Sequence, residues 1–219
     1  MNFLKGLFNL KKQLQFIQDE KGLHQLGGDI PLNFKIPESE FLGGFQYLGF
    51  INNSDKYFDW LPFPLHLICP IFTDFDYIFL DYEKPNEQQL IYPTDSADIT
   101  SAYDELTKDS YVIYNKANFS VIPFEGLNDD NEFEVVAIAG KPNWIQSSES
   151  PSCPKSNKKM QFVCQLMSNG PITAKEKNFR SEDSYYEKIY SELNFWCDGD
   201  LKIFFEPTSK VACYFIQNT

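Results

Sequence analysis

Arginine is all but missing from this chain, Arg180 being the single one among 19 basic residues. Bidentate forks that grip phosphate or carboxylate are therefore nearly excluded. Histidine is equally scarce, with only His24 and His66, which leaves few ways to assemble a nucleophile–base pair or an imidazole-rich metal centre. No C-x₂₋₄-C pair, no G-x-S-x-G elbow and no glycine-rich phosphate loop occurs, so the usual sequence marks of zinc, ester and nucleotide chemistry are absent. Apolar runs stay well short of the ~20 residues that span a bilayer. An unbroken apolar h-region with a small-residue cleavage site is also missing. Positive charge is short overall: 31 acidic residues give a formal charge of −12, which argues against nucleic acid as a ligand. These absences predict a cytoplasmic protein with no membrane span, no cofactor and no metal.

Bulky apolar material is what the chain has. Of 219 residues, 42% are hydrophobic and 16% aromatic, with 21 Phe and 12 Tyr, enough to repay the ordering entropy of one sizeable core. The five cysteines (Cys69, Cys153, Cys164, Cys197, Cys213) are odd in number and mostly sit in apolar runs, a pattern of buried thiols rather than a disulfide framework.

Leu4, Leu7, Phe8, Leu14 and Ile17 fall near helical spacing and predict an amphipathic helix over 2–20. Downstream, short β-rich runs punctuated by Gly and Pro dominate: 41–51, 61–72, 76–82, 111–114, 119–124, 133–139, 160–167 and a closing hairpin over 201–217. Met160, Phe162, Cys164 and Leu166 are expected on one strand face. A helix capped at Asp95 or Ser96 is read from Ile99, Ala102, Tyr103 and Leu106. Another begins at a Ser184–Glu187 capping box, with Tyr185, Ile189 and Leu193 as its inward stripe. Strands outnumber helices and no βαβ rhythm appears, so the fold class is α+β, mainly β. Many short antiparallel strands are expected in a roll- or sandwich-like arrangement with a few flanking helices. An internal echo pairs Gly27-Gly28-x-x-Pro31 with Ala139-Gly140-x-Pro142. Two duplicated halves (24–92 and 139–219) within one 1–219 domain, and a chance likeness, are both readings of it.

The most specific text is AGKPNWIQ (139–146), SCPKSNKKMQFVCQL (152–166) and FWCDGDLKIFFEPTSKVACYFIQNT (195–219). Together these segments resemble the YwqG-like family of bacterial cytoplasmic proteins of unknown function, as do QLGGDIP and LPFPLHLICPI in the first half. The resemblance implies a strand-rich α+β fold with duplicated halves and assigns no activity. Some members carry a second cysteine soon after Cys-Pro, a knuckle suited to zinc. Here Cys153-Pro154-Lys155-Ser156 has none until Cys164.

Among polar groups, Asp198-Gly199-Asp200 sits beside Trp196 at the start of the final hairpin. Two carboxylates across a glycine suit acid–base work or a cation, and equally an Asx-type turn. Trp60, Trp144 and Trp196 each flank polar residues, an arrangement that serves either a core plug or a ligand surface. If a ligand-binding cleft exists, Trp144, Gln146, Asp198 and Asp200 are expected to line it. His66, between two leucines, is expected as a packed strand residue and His24 as a surface charge partner. Two functions follow. The first is a non-catalytic module binding a basic protein partner, which it neutralises or scaffolds, a toxin being the sharpest version; the charge of −12 motivates it. The second is a small-molecule or carbohydrate-acting enzyme using the cleft near Trp144 with Asp198 or Asp200 as acid/base.

Overall fold

Short alternating runs broken by glycine and proline build strands and little else here. The computed structural model describes residues 12–39, 41–92, 101–124, 135–168 and 171–218. In chain order the strands are β1 (Leu14–Gln18), β2 (His24–Leu26), β3 (Gln46–Ile51), β4 (Leu65–Cys69), β5 (Thr73–Asp74), β6 (Ile78–Asp81), β7 (Gln89–Tyr92), β8 (Ser101–Ala102), β9 (Val112–Tyr114), β10 (Ala117–Pro123), β11 (Ala137–Ala139), β12 (Gln161–Leu166), β13 (Ala174–Lys177), β14 (Asp200–Glu206) and β15 (Val211–Gln217). Helix α1 (Ser184–Ser191) and a 3-10 turn (Trp196–Asp198) lie between β13 and β14. The fold is mainly β, as the sequence predicts.

Eleven strands join in one sheet, ordered β4-β3-β2-β10-β1-β11-β12-β14-β15-β6-β7, and every pairing in it is antiparallel. A sheet this wide curls rather than staying open. Its two ends meet: the Tyr82 hydroxyl, just beyond β6, donates to the His66 carbonyl of β4 at 2.6 Å and lies 2.7 Å from the Tyr214 hydroxyl of β15. The main core fills the inside of this roll, with Leu26, Leu65, Ile78, Ile203 and Tyr214 fully buried in one cluster. A smaller cluster, including Met160, Phe204, Cys213 and Phe215, packs on the opposite face. Two ribbons, β5–β8 and β9–β13, complete the fold.

Glycine is structurally required at one sheet crossing. Gly49 has φ +116°, and a Cβ there would stand 2.1 Å from the Gln25 carbonyl oxygen. The β3–β4 register slips between Tyr47 and Gly49, a bulge within the glycine-rich 41–51 run.

Four local expectations are corrected. The helix over 2–20 does not extend through its second half, where Leu14–Gln18 is strand β1. Leu14 and Phe16 are buried while Ile17 is 40% exposed, and pairing with β10 and β11 on either side favours period two over a lone helix. Residues 2–11 of that helix lie outside the described residues. The helix begun at Asp95 likewise falls outside them up to residue 100, and beyond it Ser101–Ala102 pairs with β5 while 103–110 runs as turns. In α1 the cap is Asp183, which accepts from the Tyr185 N–H at 2.8 Å, one residue before the expected Ser184. Tyr185 points outward at 58% exposure, and Ile189 and Tyr190 face in. A register shift between Phe162 and Cys164 in β12 parts that strand's predicted face: Met160 and Phe162 join the small cluster, Cys164 and Leu166 the main core.

Candidate functional site

Strand β14 reads Asp-Leu-Lys-Ile-Phe-Phe-Glu, so alternation sends Leu201, Ile203 and Phe205 into the main core and Asp200, Lys202 and Phe204 to the other face. Cross-strand pairing extends that second face: Gln165, Lys202 and Phe215 stand in one row, Asp200 and Gln217 in the next. The 140–150 loop closes over them. The Gln165 side chain accepts from the Asn143 N–H at 2.9 Å and donates to an Asp200 carboxylate oxygen at 2.7 Å. Gln217 accepts from the Ile145 N–H at 3.3 Å and donates to the Ser147 carbonyl at 2.9 Å and to Glu149 at 3.2 Å. Trp144 stacks at 10° on Phe215 and at 22° on Phe204, and its ring centroid lies 5.8 Å from the Lys202 Nζ.

Lys202 is the unusual member of this face. It is fully buried, and its Nζ makes no hydrogen bond. Burial pulls its ammonium down to about 8, against the opposing pull of Asp200 and Glu149. Burial in turn pushes the Asp200 carboxyl up, opposed by Lys202 and by its hydrogen bond from Gln165. Both partners are thus driven toward their neutral forms, the expected response of a charge pair taken out of water.

The four residues singled out from the sequence divide between different surroundings. Trp144 and Asp200 share the face just described. Gln146 is exposed at the outer edge of the loop, where it donates to the Asn218 carbonyl at 2.9 Å. Asp198 is exposed and accepts from Asn194 at 2.6 Å and from the Tyr185 hydroxyl at 3.2 Å. Asp198 is thus open to solvent and Asp200 lies under the loop.

Around Asp198 the surface is aromatic. Tyr103 lies 4.6 Å from Trp196 and 5.5 Å from Tyr186, which in turn lies 5.5 Å from Tyr185. Cys197 and Asp198 both adopt left-handed backbone, φ 54° and 55°. That conformation is costly for cysteine, and the Cys197 N–H donates to the Tyr103 hydroxyl at 3.3 Å. Burial raises the Cys197 thiol, and the carboxylates of Asp74 and Asp198 raise it further. Burial likewise lifts Tyr103 to about 12.

Among the described residues neither histidine pairs with a serine, threonine or cysteine side chain. His66 is the packed strand residue expected from its leucine neighbours, its Nδ1 2.9 Å from the Tyr47 hydroxyl and its ring against Phe34 and Phe50. His24 is no surface residue: it is wholly buried in β2, with Nδ1 accepting from the Asn52 N–H and Nε2 3.1 Å from Asp55. Phe16 and Phe58 meet its ring edge-on. Among the described residues no group of three His, Cys, Asp or Glu side chains is placed to hold a metal. A cleft of about 100 Å³ opens elsewhere, between Ile30, Ile36, Phe45, Tyr47 and Tyr111.

Lys202, Gln165 and Gln217 escaped the sequence reading, although a signal existed. Lysine within an otherwise apolar strand, two residues after an aspartate, marks a polar pair on one face. Against known proteins, neither a family model nor a curated protein nor a solved structure matches this chain.

Proposed function

We infer that this chain is a non-catalytic, cytoplasmic, YwqG-like module that binds a basic protein partner. The observation that carries the reading is the parting of Asp198 from Asp200. An acid–base pair across Gly199 would serve hydrolysis, but one carboxylate is spent beneath the 140–150 loop and the other belongs to an exposed aromatic surface. The acidic surplus of 12 charges then acts as a field, steering cations and speeding encounter. Among the described residues no helix is long and apolar enough to cross a membrane.

Affinity capture with the tagged chain in its native host tests the reading. The expected result is a basic protein, eluted by salt, that re-forms a stoichiometric complex from purified components. Turnover of a defined substrate, with no partner that survives purification, would overturn it.

One observation favours a second reading. An ammonium without a hydrogen-bond partner, beside a protonatable Asp200 and beneath Trp144, suits a small polar ligand admitted when the 140–150 loop lifts. Lys202→Met would abolish turnover or ligand binding under that reading and leave partner binding intact under the first.

A further inference from the structure

The corner where α1, the 3-10 turn and the turn at Tyr103 meet combines two features seldom placed together without a use. Large aromatic surface is left in water: Tyr185 is 58% and Tyr186 37% exposed, with Trp196 and Tyr103 half-buried behind them. Carboxylates border it, Asp198 held against the Tyr185 hydroxyl and Asp74 close enough to raise the thiol of intervening Cys197. Ring faces carry negative charge density, and a cation over them gains further from a nearby carboxylate. The preceding Glu182 and Asp183 are exposed as well and extend the same sign of charge past the helix start.

We propose that this corner, formed by Tyr103, Trp196, Tyr185, Tyr186, Asp198 and Asp74, is the docking site for a lysine or arginine side chain on an extended segment of a basic partner. The proposal rests on the protein-binding reading above and gives it a location. Charge complementarity selects the occupant. A second copy of the chain would bring a net charge of −12 against its like, and a neutral apolar segment would gain nothing from the negative field of Asp198 and Asp74. A cation with an aliphatic stem satisfies both parts, its methylenes covering the tyrosines and its head group reaching Asp198.

Fluorescence anisotropy with a fluorescein-labelled peptide of alternating lysine, arginine and glycine tests this, a glutamate peptide of equal length serving as blank. Double substitution Tyr185→Ala/Tyr186→Ala leaves the net charge untouched and is expected to weaken binding roughly tenfold. Asp198→Asn, which keeps an acceptor for Tyr185, is expected to weaken it several-fold and to flatten its salt dependence. Asp59→Asn, exposed on the 52–61 turn, is expected to change it less than about twofold. Thermal melts within a few degrees of the parent confirm that each variant folds. Equal weakening by the two aspartate changes, with no effect of the tyrosine pair, would overturn the corner and leave a diffuse basic-partner reading standing. No binding of the basic peptide at any salt would sink both.

Discussion

Lys202 ties strand chemistry to stability through a single buried nitrogen. Its ammonium titrates near 8 when folded, against 10.5 as reference, so between those values the unfolded chain holds more protons at this site. Its burden on the fold is thus fully present below pH 8 and fades as pH rises toward 10.5. Lys202→Met keeps an unbranched stem at this buried position while removing the charge, and is expected to stabilise the protein by about 1–3 kcal/mol at pH 7. Urea titrations of both proteins from pH 7 to 10 check this, and the gap between them should narrow with rising pH. Buried thiols and tyrosines pull the other way in both proteins, and the comparison cancels them.

His24 and His66 titrate with their own sign. Burial lowers both, His24 against the pull of Asp55, so the folded state resists their protonation. Stability is expected to fall as pH drops below about 6.5 toward the folded values. Imidazole proton shifts should show both rings less protonated than a free histidine at the same pH. Gly49 marks the steric limit at this scale. Gly49→Ala would drive a methyl into the Gln25 carbonyl at positive φ, and a loss of more than about 3 kcal/mol is expected by denaturant melt.

Elements were legible in the sequence where their own residues decide them. β14, β15, β9 and β10 each carry β-branched or aromatic residues in a short run and lie close to where the pattern puts them. The glycines of 41–51 punctuate a strand run, and at Gly49 a side chain would collide with the Gln25 carbonyl. What stayed hidden was decided by partners distant in sequence. Leu14–Gln18 has helical spacing and strand alternation at once, and only β10 and β11 choose between them. The site follows the same rule. Trp144 and Asp200 are expected from sequence to line a cleft together with Gln146 and Asp198, and only the first two share a face, which Lys202 enters through the cross-strand row with Gln165 and Phe215. The 140–150 loop belongs at this scale too, because side chains of two strands fasten its backbone. Gln165→Leu with Gln217→Leu is expected to release it, read as faster amide exchange at Asn143 and Ile145 while amides of β14 stay protected.

In the whole molecule, strand order interleaves distant parts of the chain. Segment 24–92 supplies β2, β3 and β4 at one end of the sheet and β6 and β7 at the other, with β10, β1, β11, β12, β14 and β15 between. Expressed alone, residues 24–92 would lack β10 beside β2 and β15 beside β6, leaving unpaired edges and half a core. Such a fragment is expected to show no near-ultraviolet circular dichroism and no cooperative melt. A fragment that melts cooperatively would overturn this expectation.

The pairing of Asp81 with Val211 also sets an order of events during synthesis. The β6–β7 hairpin leaves the ribosome long before β15 exists, and until then its apolar Ile78 and Leu80 have no roof. A nascent chain in that condition offers a sticky ribbon to any neighbour. Chaperone demand of the nascent chain, and a loss of yield when translation stalls between Tyr92 and Val211, are the expected consequences of this late partnership.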